Sequence, residues 1–130
     1  MTVDTRSDRG AVAVEFALLL PILVVIILGI IEFGLVYNTQ ITITNAAREG
    51  ARALSIGNGV NTPFAAVSAA SAALTPAVTS AEVTFSPSAC TAANAGQTAT
   101  VTIQYPYKFL SGMFGTGFTM TGVAAMECGG

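Results

Sequence analysis

The chain has 130 residues, which allows one small folded domain, and its composition is strongly apolar. Hydrophobic residues make up 52% of it and charged residues only 9%, against about 25% charged residues in ordinary soluble domains. The formal net charge of −2 excludes the basic surface that nucleic-acid binding requires. We therefore expect part of the apolar surface to contact lipid or other protein chains.

The chain also lacks residue types that many catalytic and metal sites need. It contains no His, and its only aspartates, Asp4 and Asp8, lie within the first ten residues. A His-ligated metal site and a Ser-His-Asp or Cys-His catalytic arrangement are therefore excluded. We expect the protein to have no enzymatic activity, no cofactor and no metal ion.

The two cysteines, Cys90 and Cys128, are far apart in the sequence and form no Cys-x-x-Cys motif. This spacing argues against redox catalysis and against metal binding. It is typical of a structural disulfide in an oxidising compartment, which is what we predict. Two buried thiols without a bond between them are the alternative.

Residues 1–10 are polar, and a dense apolar run follows from Ala11 to Ile31, with Glu15 as its only charge. As a helix, this run would be about 31 Å long, which matches the hydrocarbon layer of a bilayer. We predict a transmembrane helix. A cleaved secretory signal is the weaker alternative, because no small-residue cleavage site follows the run. Pro21 lies inside it and either kinks the helix or is a tolerated membrane proline.

The helical pattern continues from Glu32 to about Ser55 and becomes amphipathic. One face carries apolar residues at helical spacing, and these are Val36, Ile43, Ala47 and Leu54. The other side carries Arg48, Glu49 and Arg52. Small residues among them, Ala46, Ala47, Gly50, Ala51 and Ala53, allow another backbone to approach closely. The cluster Gly57-Asn58-Gly59 predicts the end of one long helix over residues 11–56.

Residues 57–130 predict a small α+β domain. A short helix is expected from a cap at Asn61 or Thr62 to Thr75-Pro76, with Pro63 in its first turn. Its expected buried stripe consists of Phe64, Val67, Ser71 and Leu74. Alternating polar and apolar residues predict three strands at residues 82–85, 98–105 and 118–124.

The order of these strands bears on the cysteines and on two tyrosines. In a three-stranded antiparallel meander, Cys90 and Cys128 would lie at the same end of the sheet, where a disulfide would close a loop of about 38 residues. Tyr105 and Tyr107 flank Pro106 at the end of the second strand. We expect them to pack in an edge strand, and a binding surface is the alternative.

The boundary between the polar residues and the apolar run reads G-A-V-A-V-E-F, from Gly10 and Ala11 to Glu15 and Phe16. A carboxylate in an apolar helix is costly unless it finds a partner. Cleavage after Gly10 would supply one, because it would expose a cationic α-amine at Ala11 in the same subunit or in an adjoining one. The alternative is that Glu15 is an incidental polar residue at a membrane interface.

This boundary, G-A-V-A-V-E-F-A-L-L-L-P, together with I-I-E-F-G-L-V-Y and N-A-A-R-E-G-A-R, resembles the TadE-like family of the tight-adherence (Tad/Flp) pilus system. The resemblance is dense over residues 10–53, and N-A-A-R-E-G-A-R at residues 45–52 is its most specific piece. It implies that an aspartic-type prepilin peptidase cuts between Gly10 and Ala11, and that Glu15 serves processing or assembly. Phe16 stands where major pilins of this system often carry Tyr, which favours a minor pilin or pseudopilin.

The resemblance also implies partners and a location. The partners would be the prepilin peptidase, other Tad pilus subunits, inner-membrane assembly components and membrane lipid, in a homo- or hetero-oligomer. Helix packing during assembly would involve Glu15, Asn45, Arg48, Glu49 and Arg52. A plain solvated face is the alternative for Arg48, Glu49 and Arg52.

The resemblance and the cysteine pair both favour a single-pass protein of the cytoplasmic (inner) membrane. Residues 1–10 would be a cytoplasmic leader and the C-terminal domain would be exported. Whether the chain enters the filament is open at this point. The alternative function is an unprocessed, single-pass membrane protein whose exported domain binds another envelope component.

Overall fold

The computed structural model describes residues 5–57 and 62–129, which form an α+β fold of two helices and three strands, as predicted. The helices are α1 (Thr5–Ile56) and α2 (Pro63–Ala70). The strands are β1 (Val83–Ser86), β2 (Thr98–Tyr107) and β3 (Phe118–Glu127). Short 3₁₀ turns occupy Ser80–Glu82 and Ala92–Asn94. The chain divides into two compact units, one ending at Gly34 and the other beginning at Leu35.

The first unit contains the N-terminal part of α1. The helix begins at Thr5, whereas the sequence predicted a start at Ala11. The polar residues before Ala11 include no proline, and a single Gly10 costs a helix only about 1 kcal/mol relative to Ala, which is too little to end it. Pro21 also lies within α1 and does not end it. Residues 1–4 of the predicted leader lie outside the described residues.

The side chains of the apolar run are exposed in this unit. Within the described part of the chain, the segment Gly10–Ile56 is long and apolar enough to cross a membrane, and its most apolar window is not buried at all. A helix of this length that is apolar on all sides is unfavourable in water and favourable in the hydrocarbon layer of a bilayer. The predicted membrane anchor therefore agrees with the exposure of this helix.

The second unit holds the hydrophobic core. The predicted apolar face of α1 lies in it, with Ile43, Ala47 and Leu54 buried and Val36 packed against them. The backbone of β3 approaches α1 at Ile43 and not at the small residues expected to allow it, since an added Cβ at Gly122 would lie 2.8 Å from the carbonyl oxygen of Ile43. α1 ends at Ile56, next to Gly57, while Asn58 and Gly59 of the predicted stop lie outside the described residues.

Helix α2 is shorter than predicted. Thr62 caps it, accepting a hydrogen bond from the backbone N–H of Ala65 at 3.2 Å, and Pro63 is its first residue. The other predicted cap, Asn61, lies outside the described residues. The helix ends at Ala70 because the chain tightens ahead of Pro76 into a turn in which Leu74 N–H donates to the Ser71 carbonyl. The predicted stripe is still directed inward, with Val67, Ser71 and Leu74 buried and Phe64 half-buried.

The strands form the predicted antiparallel meander in the order β1-β2-β3. Alternate residues of β2 are buried, as the sequence pattern indicated. β2 runs past Pro106 to Tyr107, because β1 pairs only with Thr100–Ile103 and leaves β3 as the single neighbour there. β3 extends to Glu127, where it pairs with Thr98. Glu82 was predicted to start β1 but accepts a hydrogen bond from Thr79 N–H in the preceding turn.

Cys90 and Cys128 are bonded to each other, which confirms the predicted disulfide. Their Cα atoms are 5.3 Å apart, and the bond closes a loop with a sequence separation of 38. Cys128 follows β3 directly and is buried, and its N–H donates to the carbonyl of Gln97 at the start of β2. The bond thus joins the β1–β2 connection to the end of β3, as the meander required.

Candidate functional site

The predicted processing residues lie in the first unit, on one uninterrupted stretch of α1. Gly10, Ala11, Glu15 and Phe16 are all exposed, and an added Cβ at Gly10 would meet no other atom within 4 Å. Phe16 is 60% exposed, and Val14 on the other side of Glu15 is similarly exposed. The carboxylate of Glu15 therefore lies on an apolar helix surface. In lipid, such a group requires a cationic or hydrogen-bonding partner.

The predicted assembly residues lie in the second unit, on the outward side of α1. Asn45, Arg48, Glu49 and Arg52 are exposed, so all four are available to a neighbouring chain or to solvent. The structure places them on one helix and gives them no role in the core. Whether they contact a partner stays a prediction.

The small residues of the same N-A-A-R-E-G-A-R segment have a different role. Ala46, Ala47, Gly50 and Ala51 are buried against the rest of the second unit. At Gly50, an added Cβ would lie 2.5 Å from Cγ2 of Val67 in α2, so a larger residue would require the buried Val67 side chain to move. The segment therefore combines a packing face of small residues with an exposed polar face.

A polar contact on the buried side of α1 was not predicted. The side-chain amide of Gln40 donates a hydrogen bond to the carbonyl oxygen of Thr121 in β3 at 2.9 Å. Gln40 also donates to the hydroxyl of Thr44 at 3.4 Å. Position 40 falls on the same helix face as Val36, Ile43 and Ala47. A polar residue on that apolar face was a sequence signal for such a contact.

Tyr105 and Tyr107 are buried, which favours packing over a binding surface, but β2 is the central strand of the sheet and not the edge strand that was predicted. The hydroxyl of Tyr105 donates to the carbonyl oxygen of Pro76 at 2.8 Å. Burial raises the pKa of Tyr105 above its usual range, and the negative charge of Glu82 and the neighbouring Tyr107 act in the same direction. The hydroxyl therefore stays protonated and can serve as a donor at neutral pH.

These tyrosines line a cleft of about 440 Å³ in the second unit. The other lining residues are Leu35, Asn38 and Thr39 of α1 and residues 73–76 and 108–110. Half of the lining residues are apolar, and the other half carry polar groups. Among the residues that the structure describes, no three His, Cys, Asp or Glu side chains come close enough together to hold a metal ion.

Comparison with known proteins places the resemblance on the N-terminal part of the chain. The family described as TadE-like protein matches residues 10–52. The match spans the predicted processing residues and the exposed and buried faces of the N-A-A-R-E-G-A-R segment. No curated protein and no solved structure matches the chain. The predicted resemblance to the TadE-like family is therefore confirmed over residues 10–52, which is about a third of the chain.

Proposed function

We propose that this protein is a minor pilin or pseudopilin that takes part in the assembly of a Tad/Flp-type pilus after processing by a prepilin peptidase. Its role is structural and not catalytic. The observation that carries the proposal is the match to the TadE-like family, within which the exposed apolar run from Ala11 to Ile31 bears a single carboxylate, Glu15, five residues after Gly10. The match to the TadE-like family supports an association with the Tad pilus.

The apolar part of α1 holds the precursor in the cytoplasmic membrane. Residues 1–10 remain on the cytoplasmic side, and the second unit is exported as a disulfide-bonded domain. The Cys90–Cys128 bond supports this orientation, because such bonds persist in oxidising compartments outside the cytoplasm.

Cleavage between Gly10 and Ala11 then creates the mature end of the chain. The new α-amine of Ala11 is cationic at neutral pH and lies one helical turn from Glu15. An amine and a carboxylate at this spacing compensate each other within one subunit, or between subunits packed side by side. This compensation lowers the cost of placing Glu15 among apolar helices.

Assembly uses the exposed polar face of α1 in the second unit. Asn45, Arg48, Glu49 and Arg52 are accessible to other Tad pilus subunits or to inner-membrane assembly components. The buried small residues are already engaged in holding the domain together, so we assign no partner contact to them.

The test of the proposal is the intact mass and N-terminal residue of the protein purified from its native membranes. A chain that begins at Ala11 supports prepilin-type processing. A chain that still begins at Met1, from cells with an active prepilin peptidase, contradicts it. That result would favour the unprocessed membrane protein whose exported domain binds another envelope component.

Replacing the carboxylate tests the role given to Glu15. We expect Glu15→Ala to impair processing or pilus assembly and to leave membrane insertion intact, because the helix remains apolar. Intact mass detects uncleaved precursor, and co-purification with pilus components detects lost assembly. Glu127→Ala is the matched control, since it removes an exposed carboxylate near the other end of the chain. Normal processing together with normal pilus formation in the Glu15→Ala variant would contradict the assigned role.

A further inference from the structure

The connection between β2 and β3, residues 108–117, is an apolar segment on the surface of the second unit. We call it the β2–β3 loop; its sequence is K-F-L-S-G-M-F-G-T-G. Leu110 is 77% exposed, Met113 55% and Phe114 45%. Lys108 is the only charged residue of the loop and is exposed as well. Exposed apolar side chains gathered in one loop mark an interaction surface.

Aromatic contacts pack this loop against the ends of β2 and β3. The ring of Phe109 lies 5.8 Å from that of Tyr107, 5.7 Å from that of Phe118 and 6.3 Å from that of Phe114, measured between centroids. Tyr107 and Phe118 are the paired ends of the two strands. The rings therefore anchor the loop to the sheet, and Leu110 and Met113 project from that base with most of their surface exposed.

Contacts along β3 show at which end of the second unit the loop lies. Moving along the strand, Thr121 contacts Gln40, Gly122 approaches Ile43, and Gly129 N–H donates to the carbonyl of Ser55. β3 therefore runs in the same direction as α1. Its beginning, and with it the β2–β3 loop, lies toward the start of the α1 portion of this unit.

The residues that line the cleft also place the β2–β3 loop near the start of this α1 portion. Lys108, Phe109 and Leu110 share its lining with Leu35, the first residue of the second unit. Leu35 follows the apolar run by four residues, since that run ends at Ile31. Four residues span at most about 14 Å even when fully extended. Whatever the orientation of the second unit, Leu35 therefore stays within about 14 Å of the end of the apolar run, close to the headgroup layer of a membrane that this run crosses.

We propose that the β2–β3 loop inserts its apolar side chains into the headgroup region of the membrane, which makes it a second lipid contact beside the transmembrane helix. Lys108 then faces anionic lipid headgroups while its stem lies along the apolar surface. The inference rests on the membrane anchoring in the proposed function. It favours lipid over a protein partner because the loop lies beside the residues that directly follow the apolar run.

The experiment uses the full chain in vesicles of phosphatidylethanolamine and phosphatidylglycerol. A single cysteine is introduced by Met113→Cys and labelled with an environment-sensitive fluorophore, without reductant, so that the Cys90–Cys128 bond stays intact. Vesicles are prepared with and without brominated phosphatidylcholine, which quenches fluorophores in contact with lipid. Leu23→Cys reports on the membrane helix, and Ala93→Cys reports on an exposed turn near the disulfide.

We expect the label at position 113 to show a blue-shifted emission and a loss of fluorescence with brominated lipid, and the label at position 93 to show neither. Adding Lys108→Gln reduces the blue shift at position 113 in anionic vesicles. Quenching at position 23 without quenching at position 113 overturns the loop insertion and leaves the anchoring intact. A blue shift at position 113 without quenching indicates a protein contact and also overturns it. Absence of quenching at both positions overturns the anchoring, and the loop insertion with it.

Discussion

At Gly122 the backbone of β3 comes into direct contact with the backbone of α1. An added Cβ would lie 2.8 Å from the carbonyl oxygen and 2.9 Å from the carbonyl carbon of Ile43. Backbone atoms within a helix cannot give way as the end of a side chain can. The neighbouring hydrogen bond from Gln40 to Thr121 holds the two elements at this separation. The absence of a side chain at position 122 thus sets the distance between helix and sheet.

We therefore expect Gly122→Ala to destabilise the second unit by about 1–3 kcal/mol, the usual cost of overpacking. The measurement is thermal unfolding of the detergent-solubilised chain, followed by circular dichroism. Gly34→Ala serves as the control, because an added Cβ there would meet no atom within 4 Å. An unchanged midpoint in Gly122→Ala would show that helix and sheet can separate at this point without cost.

Among the elements, the three strands depend on a crosslink as well as on their pairing. β1 has only four residues, and the connection that follows it is held by a local 3₁₀ turn at Ala92–Asn94 and by the long-range Cys90–Cys128 bond. A small sheet with one exposed face buries limited apolar area. A bond that closes a long loop lowers the entropy of the unfolded chain. It therefore supplies part of the stability that the small buried area does not provide.

Removing the crosslink by the double substitution Cys90→Ser and Cys128→Ser should lower the free energy of unfolding by about 2–4 kcal/mol. Unfolding of the full chain in detergent, with and without reductant, measures the effect. We expect reductant to bring the unsubstituted chain to the stability of the variant and to leave the variant unchanged. Ala89→Ser is the control for adding a hydroxyl beside Cys90 at an exposed position. Equal stability of the variant and the unsubstituted chain would contradict the prediction.

Periodicity predicted the existence of these elements, and tertiary contacts decided their ends. The alternation in residues 98–105 identified β2, but pairing with β3 carried the strand through Pro106. The sequence at the end of β3, A-A-M-E, has no β-branched residue, and it is held as strand by its pairing with the start of β2. Similarly, no local signal in residues 71–74 indicated that α2 would tighten into a turn before Pro76.

The candidate site has two parts, the pattern from Gly10 to Glu15 and the N-A-A-R-E-G-A-R segment, and the first was easier to predict from the sequence than the second. The position of Glu15 after Gly10 is a pattern in the sequence, so it could be found without a structure. The two faces of N-A-A-R-E-G-A-R were predicted in outline, but the partner of Gly50 is Val67, a contact between distant residues that no local pattern specifies. In the sequence, the β2–β3 loop is a glycine-containing connection without a motif, and its importance depends on where β3 lies beside α1.

For the whole molecule, apolar surface and charge are divided unequally between the two units. All residues of the hydrophobic core belong to the second unit, from Ile43 to Cys128. From Leu35 onward the sequence has three acidic and three basic residues, so the formal net charge of that part is zero. The first unit carries its apolar residues on the surface. The low content of charged residues thus has two causes, an apolar run suited to a membrane and a domain with few ionic groups.

This division predicts which part of the chain folds by itself. We expect a chain that starts at Leu35 to unfold cooperatively and to retain the Cys90–Cys128 bond without detergent, because its core is complete. A chain that starts at Gly57 lacks Ile43, Ala47 and Leu54, and we expect it to remain unfolded. Circular dichroism during urea unfolding compares the two chains.

The pair of truncated chains separates two explanations of the long helix. If α1 were only a membrane anchor joined to a self-sufficient domain, both chains would fold with similar stability. Because α1 contributes a buried face to the core, its removal should cost more than the whole stability of a small domain, which is typically about 5–15 kcal/mol. Failure of the chain from Leu35 to fold would instead show that the apolar residues before it, or the bilayer around them, complete the domain. The helix that contains the membrane-suited apolar run thereby also contributes a face to the core of the second unit.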